Sequence, residues 1–476
     1  MTKSRTGLFL LTAIVVILTR LPFLQAGYGV DPDAWRMAAT ARAIAATGEY
    51  QASRLPAYPI PELAYSLFAH QSPFAFNLCT ALFSGLAAGF LALTMRRLGS
   101  KDAMLAGIAL AFIPIFYISS TVTMDYLWAL CFVLAGLSYA TDQHPLASGL
   151  LLGLATGCRI TSVMLAIPLL MILTAGLKGK TRLRSVATFL ISLVPLPLLA
   201  YTPVMRKYGL GFLQFHEGSY PSVVSIMRTA TIDVWGIVGT VAIVTALVAV
   251  FAHGKGRPAE TSIPSQIPFQ HVVAWGVAIV MMVALFMRLP VEAGYLLPIL
   301  PFVLLLLAYV LKRRFFVLLC IALVCSPMLL SYDAIDRPWS PVPSSVAFPF
   351  VVQGRTVVFD VLQGPIWMDR NRRARRMEYA EMILAFADRL DHPGVVVAGI
   401  WLPELVVLGG GDQTHVEGDS ASFVRGRAEF VGLLDARSAT VCRERGKQLY
   451  YIPGQQLYNA DVFGVNLAEF GAREIR

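Results

Sequence analysis

The chain has 476 residues, 56% of them hydrophobic and only 14% charged, with a formal net charge of +10 and a mean hydropathy of +0.64. Soluble globular domains carry about 25% charged residues, so this composition excludes an ordinary soluble protein and sets much of the surface against lipid. Six cysteines without paired spacing or a Cys-x-x-Cys motif imply neither a disulfide framework nor a zinc site.

The N-terminal "MTKSRTGLFLLTAIVVILTRLPFLQAG" has a basic start and an apolar run but no small-x-small cleavage site, and reads as an uncleaved first transmembrane helix near 7–26. A long loop over 27–72 follows, and loops of that length are usually functional or disordered. Its first part, "VDPDAWRMAATARAIAATG", has helical composition from Pro32 to Thr47. Asp31 stands at the N-cap, Pro32 at the first helical position, and Gly48 at the stop. The plain role of Asp31 is therefore capping, and that of Asp33 is to favour the helix dipole. Arg54 follows in "SRLPAYPIPE", expected to sit between two extended proline-rich segments. Tyr58, in the same stretch, is a candidate to stack on a sugar, with interfacial anchoring as its simpler role.

Further apolar runs lie near 73–95, 102–120 and 122–141, the last preceded by Asp125. The stretch 145–177 is too long for one span and is interrupted by "GLATGCRIT", so two short helices should meet at Gly157 and Arg159. Runs near 185–202, 232–252, 271–289, 291–311 and 315–332 complete a count of about eleven spans. Between them, "LQFHEGSYP" carries His216 and Glu217, and the short turn "RLPVEAGY" is flanked by Arg288 and Glu292.

Lysines and arginines fall mostly in loops on one side, which the positive-inside rule makes cytoplasmic. Of the acidic residues before Tyr332, only Asp102, Asp142 and Glu260 share that side. The basic excess is thus a topology signal that requires no nucleic acid, and the acids Asp31, Asp33, Asp125 and Glu292 gather at the opposite face with Arg20, Arg54, Arg159 and Arg288. Ionisable groups at such depths are costly and mark functional sites by default, mutual pairing being the alternative. Beyond Tyr332 a proline-rich linker leads into about 140 residues of soluble composition. There "RNRRARRMEYAEMILAFADRL" reads as an amphipathic helix with Met377, Ala380, Leu384 and Ala387 on one side, and "GVVVAGIW" and "KQLYYIP" as buried strands. The arginines Arg372, Arg373, Arg375 and Arg376 read as a solvated helix face, with lipid headgroups or glycan phosphates as the alternative contacts. No internal repeat relates the halves of the chain, which weighs against the competing class, a polytopic transporter or flippase of lipid-linked substrates.

This layout resembles the GT-C superfamily of polytopic membrane glycosyltransferases. The resemblance rests on the acidic first loop "VDPDAWRMAATARAIAATGEYQASRLPAYP", on "TVTMDYLWALCFVLAGLSYA" with Asp125, on "GLLLGLATGCRITSVMLAIPLL" with Arg159, and on "PVEAGYLLPILP" with Glu292, Tyr295, Pro298 and Pro301. It implies an α-helical polytopic membrane protein of GT-C type over 1–332. A small α/β domain over 333–476 would lie on the outer, periplasmic side of a bacterial inner membrane, with the N-terminus cytoplasmic. It implies transfer of a sugar from a polyprenyl-phosphate donor to a lipid or cell-envelope glycan acceptor, since nucleotide sugars remain cytoplasmic. The catalytic base would be Asp31 or Asp33, and Arg54, Arg159 and Arg288 would bind the donor phosphate. Tyr58, Asp125, His216, Glu217, Glu292 and Tyr295 would contact sugar or acceptor. The loop acid of the family is either the base or a metal ligand, so the cofactor is open, with a divalent cation as the candidate. Neither the Trp-Trp-Asp motif of oligosaccharyltransferases nor the adjacent Asp-Glu of protein O-mannosyltransferases is present, which points towards the enzymes that decorate lipids or envelope glycans.

Overall fold

The structure is a computed structural model that describes residues 3–213, 220–252, 260–264, 266–335, 337–352, 354–410 and 422–475. Its first part is helical: α1 (Lys3–Arg20), α2 (Pro32–Thr47), α3 (Pro59–Ser66), α4 (Pro73–Arg97), α5 (Ala103–Phe112), α6 (Pro114–Ser119), α7 (Tyr126–Thr141), α8 (Pro145–Cys158) and α9 (Ala166–Leu173). There follow α10 (Gly179–Leu193), α11 (Pro195–Tyr208), α12 (Val223–Arg228), α13 (Val234–Ala252), α14 (Phe269–Arg288), α15 (Leu300–Val310) and α16 (Arg313–Cys325). Among the described residues, six helical stretches are long and apolar enough to cross a membrane: Arg5–Phe23, Pro73–Arg97, Gly179–Leu213, Val223–Phe251, Phe269–Arg288 and Ala293–Val310. The remaining expected spans correspond to shorter apolar helices, α5, α7 and the pair Pro145–Cys158 and Ile160–Leu173 that meets at Arg159, and the run near 315–332 holds α16.

Close helix packing rests on small residues, as it does where lipid removes the hydrophobic drive for association. A Cβ on Gly85 of α4 would lie 2.8 Å from the Ala13 carbonyl of α1, and one on Gly107 of α5 would lie 2.7 Å from the Ala88 carbonyl of α4. The run expected over 102–120 is broken at Ile113, which is held extended before Pro114. Buried Arg20 fills this break. It donates to the Ala111 carbonyl and, at 3.0 Å, to Ser120 Oγ, and its guanidinium lies 3.8 Å from the Tyr117 ring centre. Arg20 therefore satisfies backbone freed by the proline, and its cost inside an apolar bundle is met by hydrogen bonds.

The C-terminal region holds two sheets. β1 (Ser331–Ala334), β2 (Ala347–Val352) and β3 (Arg355–Asp360) form an antiparallel sheet in the order β1-β3-β2, with Phe350 opposite Val357. After α17 (Pro365–Asp388) come β4 (Gly394–Val397), α18 (Leu402–Gly409), β5 (Ser422–Arg425), β6 (Ala428–Val431), α19 (Ala436–Glu444), β7 (Gln448–Tyr451), α20 (Gln455–Phe463) and β8 (Arg473–Glu474). These strands order as β5-β6-β4-β7-β8. β4 is fully buried and parallel to both β6 and β7, the continuous apolar pattern expected of a covered parallel strand. The strands read from "GVVVAGIW" and "KQLYYIP" are β4 and β7, which pair with each other.

This region is clamped to the helical part. Arg373 on α17 is buried and donates to the Thr121 carbonyl at 2.8 Å, and the Met377 side chain packs over Gly27. Arg376, also buried, pairs with buried Glu404 on α18 and lies 4.2 Å over Trp401, while Arg372 pairs with Asp333. The arginine-rich face of α17 is thus corrected from a solvated surface to a mostly internal one, since only Arg375, with Glu378, stays in solvent. The apolar side expected for this helix holds: Ala380, Leu384 and Ala387 lie in the core of the region.

Candidate active site

The segment that delivers the acidic loop is fixed by one buried side chain. Asn77 of α4 donates to the Leu24 and Gly27 carbonyls at 2.8 and 2.9 Å and accepts from Thr123 Oγ1 at 2.8 Å. Trp35 Nε1 donates to the Gly29 carbonyl at 2.9 Å. Thus α2 starts where the sequence places it, with Asp31 at the N-cap accepting from the Asp33 N–H at 2.9 Å and Gly48, at φ 71°, as the C-cap.

Asp33 is held between two cations, Arg36 at 2.8 Å and Arg54 Nε at 2.8 Å. Arg54 continues to Asp125, its Nη2 lying 3.1 Å from one carboxylate oxygen, while Arg159 reaches the other at 2.6 Å. Asp125 is fully buried between them, so a chain Asp33–Arg54–Asp125–Arg159 runs from the loop into the break between α8 and α9. Aromatic faces line it: Arg54 lies 4.2 Å from the Tyr58 ring centre, and Arg159 lies 4.2 Å from Tyr126 and 5.1 Å from Tyr295. The Tyr126 hydroxyl donates to Glu292. Carboxylate oxygens of Asp31, Asp33 and Glu292 lie within 4.8 Å of one another.

Burial first, and the neighbouring Asp33 carboxylate second, push the Asp31 carboxyl above its usual range, against the opposing pull of its backbone hydrogen bond and of Arg54 and Arg36. Glu292 is pushed to about 7, by burial and then by the charge of Asp31. Burial also raises the Tyr58 hydroxyl to about 12, so it stays a neutral donor. The three acids are hard oxygen ligands within reach of one divalent cation. Both oxygens of Asp33 are already engaged by arginine, so Asp31 and Glu292 would supply the free ligand atoms.

A cleft of about 530 Å³ opens beside this chain, lined at one end by Asp33, Arg54, Tyr58, Arg159 and Tyr295. Its remaining wall is largely apolar and includes Leu130, Val133, Met282, Leu285, Phe286 and Leu297. Arg288 lines the rim, exposed, without an ion pair to a described residue. One donor stands out: Arg54 Nη1 is buried and has no hydrogen-bond partner among the described residues. Of the residues singled out in the sequence, Asp31, Asp33, Arg54, Tyr58, Asp125, Arg159, Glu292 and Tyr295 thus converge. His216 and Glu217 lie outside the described residues.

Two features escaped the sequence reading. The chain turns straight after Arg54, whose carbonyl accepts from the Ala57 N–H at 2.8 Å, and "PIPELAYS" is the helix α3, because Pro59 and Pro61 suit its first turn. That helix carries Glu62, fully buried, whose carboxylate accepts from Ser53 N at 2.8 Å, Ser53 Oγ at 2.7 Å, Tyr58 N at 3.2 Å and the Tyr50 hydroxyl. Glu62 staples both ends of the turn that presents Arg54. Its one signal in the sequence was an acid in an otherwise apolar octapeptide. The other is α18, which packs on α2, where Arg42 donates to the Val407 carbonyl. Contacts between segments so far apart leave no local pattern.

Residues 57–204 match a family model described as dolichyl-phosphate-mannose-protein mannosyltransferase. That stretch holds Tyr58, Glu62, Asp125 and Arg159, and lies between the loop acids and Glu292. No curated protein matches the chain in sequence. Among solved structures, the crystal structure of ArnT from Cupriavidus metallidurans in the apo state is similar in fold, with a TM-score of 0.56 at 15% identity over 97% of this chain and 95% of that one. The family model thus matches the centre of the site, and the fold is shared along nearly the whole chain.

Proposed function

We propose that the enzyme transfers a sugar from a polyprenyl-phosphate donor to a lipid or cell-envelope glycan acceptor, at the periplasmic face of a bacterial inner membrane. The observation that carries this reading is the buried Nη1 of Arg54, without a hydrogen-bond partner among the described residues, at the polar end of an apolar-walled cleft. A guanidinium left with an open donor calls for an anion, and the apolar wall suits the lipid tail attached to it.

In this reading the acceptor hydroxyl attacks the anomeric carbon as the bond from that carbon to the phosphate oxygen breaks, with inversion. The departing polyprenyl phosphate keeps the bonding electrons, and Arg54 and Arg159 stabilise its charge. Arg288 at the rim meets the phosphate on entry. The acceptor proton goes to Asp31. Asp33, neutralised by two arginines, orients Arg54 instead, whereas Asp31 forms no ion pair with an arginine among the described residues and its raised proton affinity suits a base. Tyr58, Glu292 and Tyr295 are placed to contact sugar or acceptor.

A divalent cation fits the acid trio by ligand type, and would there neutralise carboxylate charge and offer Lewis-acid assistance. Arg36, Arg54 and Arg159 already offset most of the local carboxylate charge, so transfer is expected to survive exhaustive chelation. Loss of activity to a chelator, restored by one added metal, would instead assign the trio as ligands. The reading as a whole is tested with purified enzyme, a defined polyprenyl-phosphate sugar and a lipid extract of the envelope, with released polyprenyl phosphate followed by mass spectrometry. Release that requires acceptor supports it. Movement of the intact donor across a vesicle membrane without release would replace it with a flippase.

A further inference from the structure

The hairpin β2–β3 presents an apolar surface that neither sheet nor helix covers among the described residues. Along β2, Phe348 and Phe350 point to one face and Val351 to the other, and their relative exposures are 59%, 42% and 72%. No charged residue occurs from Val342 to Val352. β2 is also an edge strand, pairing only with β3 among the described residues. In water, a long apolar edge of this kind is an aggregation hazard.

The hairpin is rooted at the ends of two lipid-facing helices. α16 ends at Cys325 and β1 begins at Ser331, a gap that spans at most about 20 Å. Gly364, just after β3, donates its N–H to the Met328 carbonyl at 3.1 Å. Trp367 in the first turn of α17 packs 4.9 Å from Phe23, at the end of the first span. Exposed apolar side chains recur on the segments that join that span to the hairpin, Leu18, Leu21, Leu329, Tyr332, Leu362 and Trp367, and the Tyr332 ring lies 6.1 Å from that of Phe350 on β2.

We infer that β2 and its hairpin lie in the interfacial region of the leaflet at which α16 ends, so that bilayer lipid covers this surface. The headgroup level suits it better than the hydrocarbon centre, because the unpaired edge amides of β2 still need water or phosphate partners. Pro349 removes one of those donors. Arg355, exposed opposite Val352, reaches towards anionic headgroups.

The test uses the intact, unmutated protein in nanodiscs of phosphatidylethanolamine and phosphatidylglycerol with a trace of phospholipid carrying a diazirine near its acyl carbonyl. After irradiation, adducts are mapped by peptide mass spectrometry. Adducts on 346–352 at a yield comparable with those on α1, and several-fold above those on solvent-facing α19, are expected. Labelling of α1 with 346–352 no higher than α19 would overturn the inference. A second copy as the covering partner would also overturn it, and would appear as a dimer by light scattering with hairpin-to-hairpin crosslinks in place of lipid adducts.

Discussion

At the scale of single residues, the account turns on which acids are free and which are engaged. Arg54 bridges Asp33 and Asp125 with different nitrogens, a fork that an ammonium cannot reproduce. Arg54→Lys is therefore expected to weaken donor binding by about 10- to 100-fold, as for loss of a hydrogen bond to a charged group, measured as the KM for donor; unchanged KM would remove Arg54 from the phosphate site. Glu62 tests positioning separately. Each of its oxygens accepts from two donors, so Glu62→Gln sets an amide N–H against donors and loosens the Arg54 turn. Transfer should fall by up to about 100-fold, as for misplacement by about 1 Å, with the loss again mainly in donor KM and the pH dependence of kcat retained. The acids and arginines were legible in the sequence because charge in an apolar chain is rare and conspicuous. Their division of labour was not, because it depends on distances between Asp33, Arg54 and Asp125 that no spacing encodes.

Helices that the sequence marks with local signals stand where expected. α2 runs from Pro32 to Thr47 with Asp31 and Gly48 as its caps, and α8 stops at Cys158 before an extended Arg159. Elements governed by distant partners were harder to read, and α17 shows why. Its arginines look solvated in one dimension, yet Arg373 and Arg376 are buried because Thr121 and Glu404 come to them from other elements. Glu404 is raised to about 7 by burial, with Arg376 opposing the rise and Asp31 adding to it, and its second oxygen has no hydrogen-bond partner among the described residues. Arg376→Met should cost about 3–5 kcal/mol, the cost of leaving a buried charge unpaired. The pH sign follows from Glu404. With its folded-state proton affinity above the unfolded value, the folded state binds the extra proton, so stability falls as pH rises from about 4.5 through 7. Without Arg376 that affinity rises further. The variant's thermal destabilisation in a fixed detergent should accordingly be larger at pH 8 than at pH 5, and an equal loss at both would contradict the burial argument.

On the scale of the whole molecule, the helical bundle, the acidic loop and the sheet-containing tail form one packed unit, since α17 and α18 brace the segments on either side of Asp31. The broad architecture was readable because lipid imposes long apolar runs and asymmetric charge. Breaks such as that at Pro114, and the docking of the tail, were not, because they answer to tertiary contacts. The central claim is that Asp31 takes the acceptor proton while Asp33 orients the phosphate-binding arginine. It is tested most directly by single-turnover transfer with purified Asp31→Asn and Asp33→Asn enzymes at saturating donor, with donor affinity measured in parallel. Asp31→Asn should lose at least about 100-fold in rate, the share of a general base, with donor affinity kept, and Asp33→Asn should lose donor affinity first. Wild-type transfer by Asp31→Asn would contradict the account.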